Sequence, residues 1–183
     1  MGCANEVAGA TLTLVAGGAT VVAGSMLKIS QRTEYATRAV VELAIRRRKQ
    51  GDLLVPARAL AEAQHIPLRF LEQQLGALHK AGLVESFRGA GGGCRLARDP
   101  ADIRVADVVD AIEGPLYPMG CLDIEDHRCF QDSHCGLQEL WGSVHLAIRQ
   151  VFEQTTLADL AERHLRRTEA PIWTATDLIR PRV

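Results

Sequence analysis

Apolar residues recur at helical spacing from Ser30 onward, and the first such stretch predicts a long helix. Tyr35, Val40 and Leu43 supply the apolar face that one buried side of this helix needs. The cationic run 46–49 suits the negative end of a helix dipole, and Gly51 is a residue type that commonly follows a helix C-terminus. The pattern therefore predicts a helix that ends near Gly51.

Two shorter helical segments follow, one opening at Pro56 and the other running from Leu68 to Ala81. Proline suits the first turn of a helix because the amide hydrogen that it lacks has no helical acceptor there. Residues 64–67 form a short break between the segments, and Gly82 ends the second one. Two short helices joined by about four residues have the spacing of a helix-turn-helix.

A strand, a turn and a second strand are predicted next. Residues 83–87 and 94–97 have strand-like composition, and the glycine-rich stretch 88–93 between them is typical of a turn. A hairpin at this place predicts a β-wing. A nucleotide-binding loop is disfavoured, because no Gly-Lys-Ser/Thr sequence follows the glycines and no helix begins there.

The second half of the chain predicts a short helix over 105–113, a polar and acidic loop over 120–135, and then a helix of about 20 residues. Apolar residues in this last helix alternate at spacings of four and three: Leu137, Trp141, Val144, Ile148 and Val151. Such a single seam favours a dimer interface, with packing onto the winged domain as the alternative. We therefore predict a mostly α-helical fold with a small β-wing, in which a winged helix-turn-helix is joined to a long dimerisation helix.

These patterns divide the chain into four parts. Residues 1–25 are an extension that we expect to be disordered, 26–98 form the winged helix-turn-helix, 99–160 hold the connecting helix, the cysteine loop and the dimerisation helix, and 161–183 are a tail. The stretch 8–24 is short for a membrane span and rich in glycine, so no membrane association is expected; a weak apolar anchor is the alternative.

Composition and charge add one distinction between the two halves. The chain is 47% hydrophobic and 23% charged, as a globular protein is, and its net charge is only −1. However, residues 28–98 contain 13 Lys and Arg against 6 Asp and Glu, whereas residues 99–154 contain 3 against 11. This separation suggests that only the first part faces a polyanion.

The third predicted helix and the wing carry the candidate DNA-binding residues. Arg69, Glu72 and Gln73 lie in the first turns of that helix, which a helix-turn-helix places in the major groove. There arginine can bind guanine, glutamine can bind adenine, and glutamate can accept a hydrogen bond from cytosine. Arg88 lies at the turn of the wing, where a cation can contact phosphate or enter a minor groove.

Three of the five cysteines, Cys121, Cys129 and Cys135, fall within one short loop, which indicates metal or redox chemistry in a reducing, cytoplasmic compartment. Thiolates are soft ligands for iron–sulfur clusters, zinc and Cu(I). The wide spacing suits a cluster better than structural zinc, which favours closely spaced cysteine pairs. A zinc site completed by His127 or His134 stays open, as do free thiols and a redox disulfide.

Six motifs between residue 26 and about residue 160 together resemble one known family. They are Met-Leu-Lys-Ile-Ser-Gln-Arg-Thr-Glu-Tyr-Ala from Met26, Phe-Leu-Glu-Gln from Phe70, Lys-Ala-Gly-Leu-Val from Lys80, Arg-Gly-Ala-Gly-Gly-Gly from Arg88, Val-Val-Asp-Ala-Ile-Glu-Gly from Val108 and Leu-Ala-Asp-Leu from Leu157. The resemblance is to the Rrf-two family of transcription regulators, which includes IscR-type, NsrR-type and RirA-type proteins.

The resemblance implies a dimeric winged-helix repressor or activator that binds a pseudo-palindromic DNA operator. Members that bind a cluster use three cysteines in the corresponding loop, matched here by Cys121, Cys129 and Cys135. By the same match, Glu72, Gln73, Arg88 and Gly89 occupy positions that contact DNA. Arg69 stands where a small polar residue is common, which implies a different base preference.

The fourth ligand is where this sequence departs from part of the family. IscR-type members place a histidine three residues after the last cysteine, and Gln138 stands there instead. NsrR-type members take a carboxylate from the first helix across the dimer, a position that Glu34 occupies here. The resemblance thus implies Glu34 as the fourth ligand of a 2Fe–2S or 4Fe–4S cluster.

The function predicted from the sequence is a DNA-binding regulator that senses iron–sulfur status, iron, nitric oxide or redox state through a cluster. The alternative is a winged-helix regulator controlled by thiol redox or structural zinc. An iron–sulfur enzyme or electron carrier is disfavoured, because neither four thiolates nor a set of catalytic groups is evident.

Overall fold

This computed structural model describes residues 29–89, 91–117, 122 and 135–167. The elements in these ranges are α1 (Gln31–Gln50), α2 (Ala57–Gln64), α3 (Leu68–Lys80), β1 (Val84–Phe87), β2 (Gly93–Leu96), a 3-10 turn (Pro100–Asp102), α4 (Val105–Glu113), α5 (Gly136–Gln154) and α6 (Leu157–Arg167). They confirm the mostly α-helical fold with a small β-wing. The predicted extension 1–25 lies outside the described residues. Every helix within these ranges is too short or too polar to span a bilayer.

Helix α1 forms the centre of the core. Its first turn is capped by Ser30, whose hydroxyl accepts a hydrogen bond from the Thr33 amide at 3.4 Å, and Gly51 ends it with a φ of 87°. The buried face of α1 includes Ala39 and Val40, both 0% exposed, and it packs among α3, α4 and α6. Burial of one such valine stabilises the fold by about 1.5–3 kcal/mol.

Helices α2 and α3 form the predicted helix-turn-helix. His65 makes the turn in a left-handed conformation with a φ of 51°, and the Ile66 amide donates back to the carbonyl of Ala61 at 2.9 Å. Ile66 is itself buried, so the turn is held by an apolar anchor as well as by its hydrogen bonds. Helix α3 then buries one face against the core through Leu71, Leu75 and Leu78.

The β-wing is a two-stranded antiparallel sheet in which Phe87 pairs with Gly93. Val55, which precedes α2, extends this sheet by exchanging backbone hydrogen bonds with Cys94 at 2.8 and 2.9 Å. Cys94 is 2% exposed, and burial raises the pKa of its thiol to about 11. The thiol therefore stays protonated at neutral pH and packs as part of the core.

Helix α6 closes the fold behind α1. Leu157 and Ala161 are buried, and among the described elements α6 makes its most extensive contact with α1. The helix runs to Arg167, so regular structure continues past residue 160, where the sequence pattern begins the tail. Residues beyond 167 lie outside the described part of the chain.

Candidate DNA-binding surface and cysteine loop

One exposed face of α3 carries three of the candidate DNA-binding residues. Arg69, Glu72 and Gln73 are all exposed, on the side of the helix opposite its buried leucines. Among the described residues, no ion pair involves Arg69 or Glu72. The charged groups of this face are therefore available to another molecule.

The turn of the wing presents Arg88 at an exposed edge. Gly89 follows it with a φ of 102°, a left-handed conformation that glycine adopts without strain. Gly92 is required by packing, because a Cβ there would lie 2.4 Å from the carbonyl oxygen of Phe87. The tight turn thus holds Arg88 where a guanidinium can approach a phosphate or a minor groove.

Two exposed aromatic side chains belong to the same two elements and were missed in the sequence. Phe70, in the first turn of α3, is 53% exposed, and Phe87 of the wing is 46% exposed. The guanidinium of Arg95 lies over the Phe87 ring at 5.5 Å, so that ring has a partner within the chain. The signal that could have revealed Phe70 is its place outside the buried period of α3.

Of the three candidate thiol ligands, Cys135 lies in the described part of the chain. It is the N-cap residue of α5, half-buried, free, and without a capping hydrogen bond from its side chain. Cys121 and Cys129 lie outside the described residues, as do His127 and His134. Among the residues described, no group of three or more His, Cys, Asp or Glu side chains is placed to hold a metal ion.

The two candidates for the fourth ligand lie on different helices. Glu34 is in the first turn of α1 with its side chain 60% exposed, and its carboxylate pairs with Arg38 at 3.4 Å. Gln138 is the third residue of α5 and is half-buried. No hydrogen bond or ion pair of the described residues joins Glu34 to Cys135.

The carboxylate of Glu113 ties the end of α4 to the start of α1. It accepts hydrogen bonds from the Ser30 amide at 3.1 Å, from the Ser30 hydroxyl, and from the Thr33 hydroxyl at 2.5 Å, while Arg32 lies 3.9 Å away. Burial alone would raise the pKa of Glu113, but the hydrogen bonds and Arg32 outweigh burial and lower it. The first turn of α1, which contains Glu34, is therefore held where the chain leaves α4 towards the cysteine loop.

Arg38 links that first helix to the helix-turn-helix. Its guanidinium donates to the backbone carbonyl of Gln64 and to the Gln64 side-chain oxygen at 3.4 Å, and it also pairs with Glu34. Gln64 is the last residue of α2, and its amide nitrogen donates to Glu42 at 3.1 Å. The exposed carboxylate of Glu34 and the end of α2 thus share one arginine.

Both ends of the cysteine loop are held against α5. Tyr117 stacks on His145 of α5 with ring centroids 5.6 Å apart, and Cys135 is the residue from which α5 begins. The adjoining cleft between α4 and α5 has a volume of about 440 Å³. Arg149 in this cleft forms an ion pair with Asp110 at 2.7 Å, and this ion pair links α5 to α4.

Within the part of the chain that the structure describes, helix α5 is covered on one side only. None of its residues is buried in the single chain, although its contact with α4 leaves Trp141 and Ile148 half-buried. Leu137, Leu140 and Val151 are 59%, 54% and 60% exposed. Trp141 and Ile148 of the predicted seam are therefore partly covered by α4. Leu137, Leu140 and Val151 form what we call the exposed stripe, and Leu140 was not part of the predicted seam.

Comparison with known proteins gives a consistent result. The family described as "Rrf2: Iron-dependent Transcriptional regulator" matches residues 29–163. The transcriptional regulator CymR of Bacillus subtilis is 33% identical over 135 residues, covering 74% of this chain and 90% of CymR. The regulator NsrR of the same species is 32% identical over 136 residues, covering 74% of this chain and 91% of NsrR.

Solved structures agree with these relatives. The structure of CymR of B. subtilis, described as the global cysteine regulator, superposes with a TM-score of 0.64 at 33% identity, covering 75% of this chain and 98% of that chain. That of T. potens IscR gives a TM-score of 0.63 at 32% identity, covering 79% and 93%. The oxidised form of Staphylococcus aureus CymR gives 0.59 at 29% identity, covering 74% and 97%.

Proposed function

Because the chain belongs to the Rrf2 family of DNA-binding transcriptional regulators, we propose that it is a homodimer whose affinity for a pseudo-palindromic operator is set by an iron–sulfur cluster. The family consists of regulators and not of enzymes. The observation that carries the DNA-binding part of the proposal is the exposed face of α3, where the charges of Arg69 and Glu72 have no ion-pair partner among the described residues. A face of this kind on the second helix of a helix-turn-helix suits the major groove.

Each of the DNA-binding candidates has a distinct role in this proposal. Arg69 donates to guanine, Gln73 binds adenine, and Glu72 accepts from the amino group of cytosine. Arg88 contacts phosphate or enters the minor groove beside the wing, and the bare backbone at Gly89 permits close approach of the sugar–phosphate chain. In this proposal the polar face of α3 selects the base sequence of the operator, and the wing fixes the position of the protein along the DNA.

The exposed stripe of α5 supports the homodimer. Leu140 follows Leu137 by three residues and Val151 follows Leu140 by eleven, about three helical turns, so the three side chains share one side of the helix. Exposed large apolar side chains on one side of a helix are typical of a protein interface. A two-fold axis beside α5 would repeat the recognition helix on the two half-sites of a palindrome, about 34 Å apart.

Cys121, Cys129 and Cys135 are the thiolate ligands in this proposal, and Glu34 of the partner subunit completes the set. Cys135 suits the role because the amides in the first turn of α5 favour negative charge beside it. The 60% exposure of Glu34 leaves its carboxylate accessible to a second chain. A bound cluster would supply a link between elements that oxidants, nitric oxide or iron shortage can break.

The described residues on either side of the cysteine loop, Tyr117 and Cys135, both lie at α5. Residues 135 and 145 lie roughly 15 Å apart along a helix, and they hold the two ends of the segment 118–134. The proposal requires the three cysteines of this loop to meet in one site. The soft thiolate donors and their wide spacing fit an iron–sulfur cluster.

Arg38 provides the route from the ligand to the DNA-binding helices. Arg38 pairs with Glu34 and donates to Gln64 at the end of α2, so a Glu34 carboxylate engaged as a ligand would leave the guanidinium with Gln64 alone of these two partners. A free Glu34 would keep the ion pair with Arg38 that the single chain shows. The orientation of α2 and α3 relative to α1 then depends on the state of the ligand.

A thiol-redox or zinc-dependent regulator without a cluster is the second candidate. It is favoured by one specific observation, the likeness to CymR, which is described as a cysteine regulator and has been solved in an oxidised form. Purification without oxygen separates the two candidates. Cluster absorbance with iron and acid-labile sulfide is expected, and a colourless protein with one zinc would refute the cluster.

Glu34→Ala tests the fourth ligand. Three thiolates still hold the cluster, but we expect its absorbance to decay about tenfold faster in air, because one iron lacks its protein ligand. Glu162→Ala is the matched control, since Glu162 forms a similar exposed ion pair one turn before Arg166 at 3.5 Å. Equal decay rates in the two variants would remove Glu34 from the ligand set.

A further inference from the structure

The recognition helix carries a glycine that its own fold does not require. Gly76 lies in the interior of α3 and is exposed. Glycine is the poorest helix former after proline, because it loses the most backbone freedom when it becomes ordered. A glycine at this place weakens the helix on which DNA recognition depends.

Most other glycines in the described ranges have a visible structural reason. Those with positive φ angles, from 70° to 102°, are Gly51, Gly82, Gly89, Gly91 and Gly114. A Cβ at Gly92 would lie 2.4 Å from a backbone oxygen, and a Cβ at Gly93 would lie 2.6 Å from another. Gly76 has neither reason, since its φ is not positive and a Cβ there would meet no atom within 4 Å.

The position of Gly76 on the helix indicates what it serves. It follows Gln73 by three residues, Glu72 by four and Arg69 by seven, so the helical period places all four on one face. The buried leucines of α3 occupy the other side. A bare patch of backbone therefore lies one turn beyond the polar groups, in the middle of the outward face.

We infer that Gly76 is a positioning residue for DNA recognition, which lets the second turn of α3 approach the floor of the major groove. The groove is about 12 Å wide, and a helix with its side chains is about 10–12 Å in diameter, so the fit leaves little room. A side chain at position 76, one turn beyond Glu72 and Gln73, would take up part of that room. This inference rests on the proposed reading face of α3.

Gly76→Ala in the full-length chain gives effects of opposite sign on stability and on binding. The midpoint of thermal unfolding rises by about 2–5 °C, because alanine favours the helix and its methyl group meets nothing in the fold. Affinity for an operator selected in vitro with the wild-type chain falls about tenfold, because the reading residues no longer reach the base edges. Fluorescence anisotropy with the selected duplex measures the affinity.

Gly142→Ala is the matched control. Gly142 is likewise inside a long helix, α5, and a Cβ there would meet no atom within 4 Å. It raises the unfolding midpoint in the same way and leaves operator affinity within about twofold. An equal loss of affinity in Gly142→Ala would overturn the inference, because the effect would then not belong to α3.

Gln73→Ala distinguishes failure of the inference from failure of the proposed reading face. If Gln73→Ala weakens binding and Gly76→Ala does not, the role of Gly76 is wrong and the reading face stands. If neither variant weakens binding, the reading face itself is wrong. A lower unfolding midpoint in Gly76→Ala would also overturn the inference, because a contact within the fold would then explain the glycine.

Discussion

At the scale of single residues, Glu113 accepts hydrogen bonds from the start of α1, a contact that no local sequence pattern predicts. Its carboxylate gathers the amide and hydroxyl of Ser30 and the hydroxyl of Thr33, 80 or more positions away in the chain. Thr33 is 1% exposed, so its hydroxyl depends on this acceptor. A buried hydroxyl that loses its partner keeps the full cost of its desolvation.

We expect Glu113→Gln to lower the free energy of unfolding at neutral pH by roughly 1–3 kcal/mol, because hydrogen bonds to a charged acceptor are stronger than those to an amide. The pKa of Glu113 is lowered in the folded chain, so its stabilising effect is complete above the usual glutamate pKa. That effect is lost as pH falls through the folded pKa.

Urea unfolding at a fixed protein concentration, repeated from about pH 6 to about pH 3, measures this dependence. The wild-type chain should lose more stability over that range than Glu113→Gln. Glu162→Gln serves as the control, because the Glu162 side chain is 47% exposed and pairs only along its own helix. Parallel pH profiles for the wild type and Glu113→Gln would contradict the expectation.

At the scale of elements, α5 and α6 differ in how their apolar residues are satisfied. Leu157 and Ala161 of α6 are buried against the rest of the chain, whereas α5 leaves four large apolar side chains exposed, and three of them, Leu137, Leu140 and Val151, share one side. Helix α6 is therefore complete within one chain. Helix α5 needs a further surface, which the proposed homodimer supplies.

Leu140→Glu tests this need at the exposed stripe. A carboxylate buried in the interface without a partner is strongly unfavourable. We therefore expect the dissociation constant of the dimer to rise about thirtyfold or more. Leu146→Glu is the control, because Leu146 is 68% exposed on the opposite side of α5. Sedimentation equilibrium measures both, and a Leu140→Glu chain as dimeric as Leu146→Glu would exclude the stripe as the interface.

At the scale of the whole molecule, one guanidinium connects the proposed sensory and DNA-binding parts. Arg38 contacts Glu34 on its own helix and Gln64 at the end of α2, and α3 follows after a break of three residues. Helix α1 is packed against α3, α4 and α6 at once. We therefore expect a shift at the first turn of α1 to change the orientation of α3.

Arg38→Ala should separate sensing from DNA binding. We expect the cluster to form as in the wild type, while the ratio of operator affinities with and without the cluster falls to about threefold or less. Arg166→Ala, which removes an exposed arginine of an i,i+4 ion pair on α6, should keep the wild-type ratio. Anisotropy titrations on both cluster states give the ratio, and a wild-type ratio in Arg38→Ala would exclude this route.

The sequence by itself determined the elements that depend on local signals. The break at 64–67 and the glycine-rich turn at 88–93 predicted the helix-turn-helix and the wing, and α3 and α4 lie within one residue of their predicted ranges. These signals act between neighbours in the chain, through capping, backbone conformation and helical period. The family motifs, taken together, also identified the class of protein.

Only the tertiary structure decided which groups meet across the chain. The carboxylate of Glu113 on the first turn of α1, the guanidinium of Arg38 at the end of α2 and the burial of α6 all join segments that are distant in sequence. The tertiary structure also decided what is notable about Gly76, since no atom of the described residues lies within 4 Å of the place that a Cβ would occupy there. Contacts and open spaces of this kind depend on packing in three dimensions, which a pattern of hydrophobic positions does not specify.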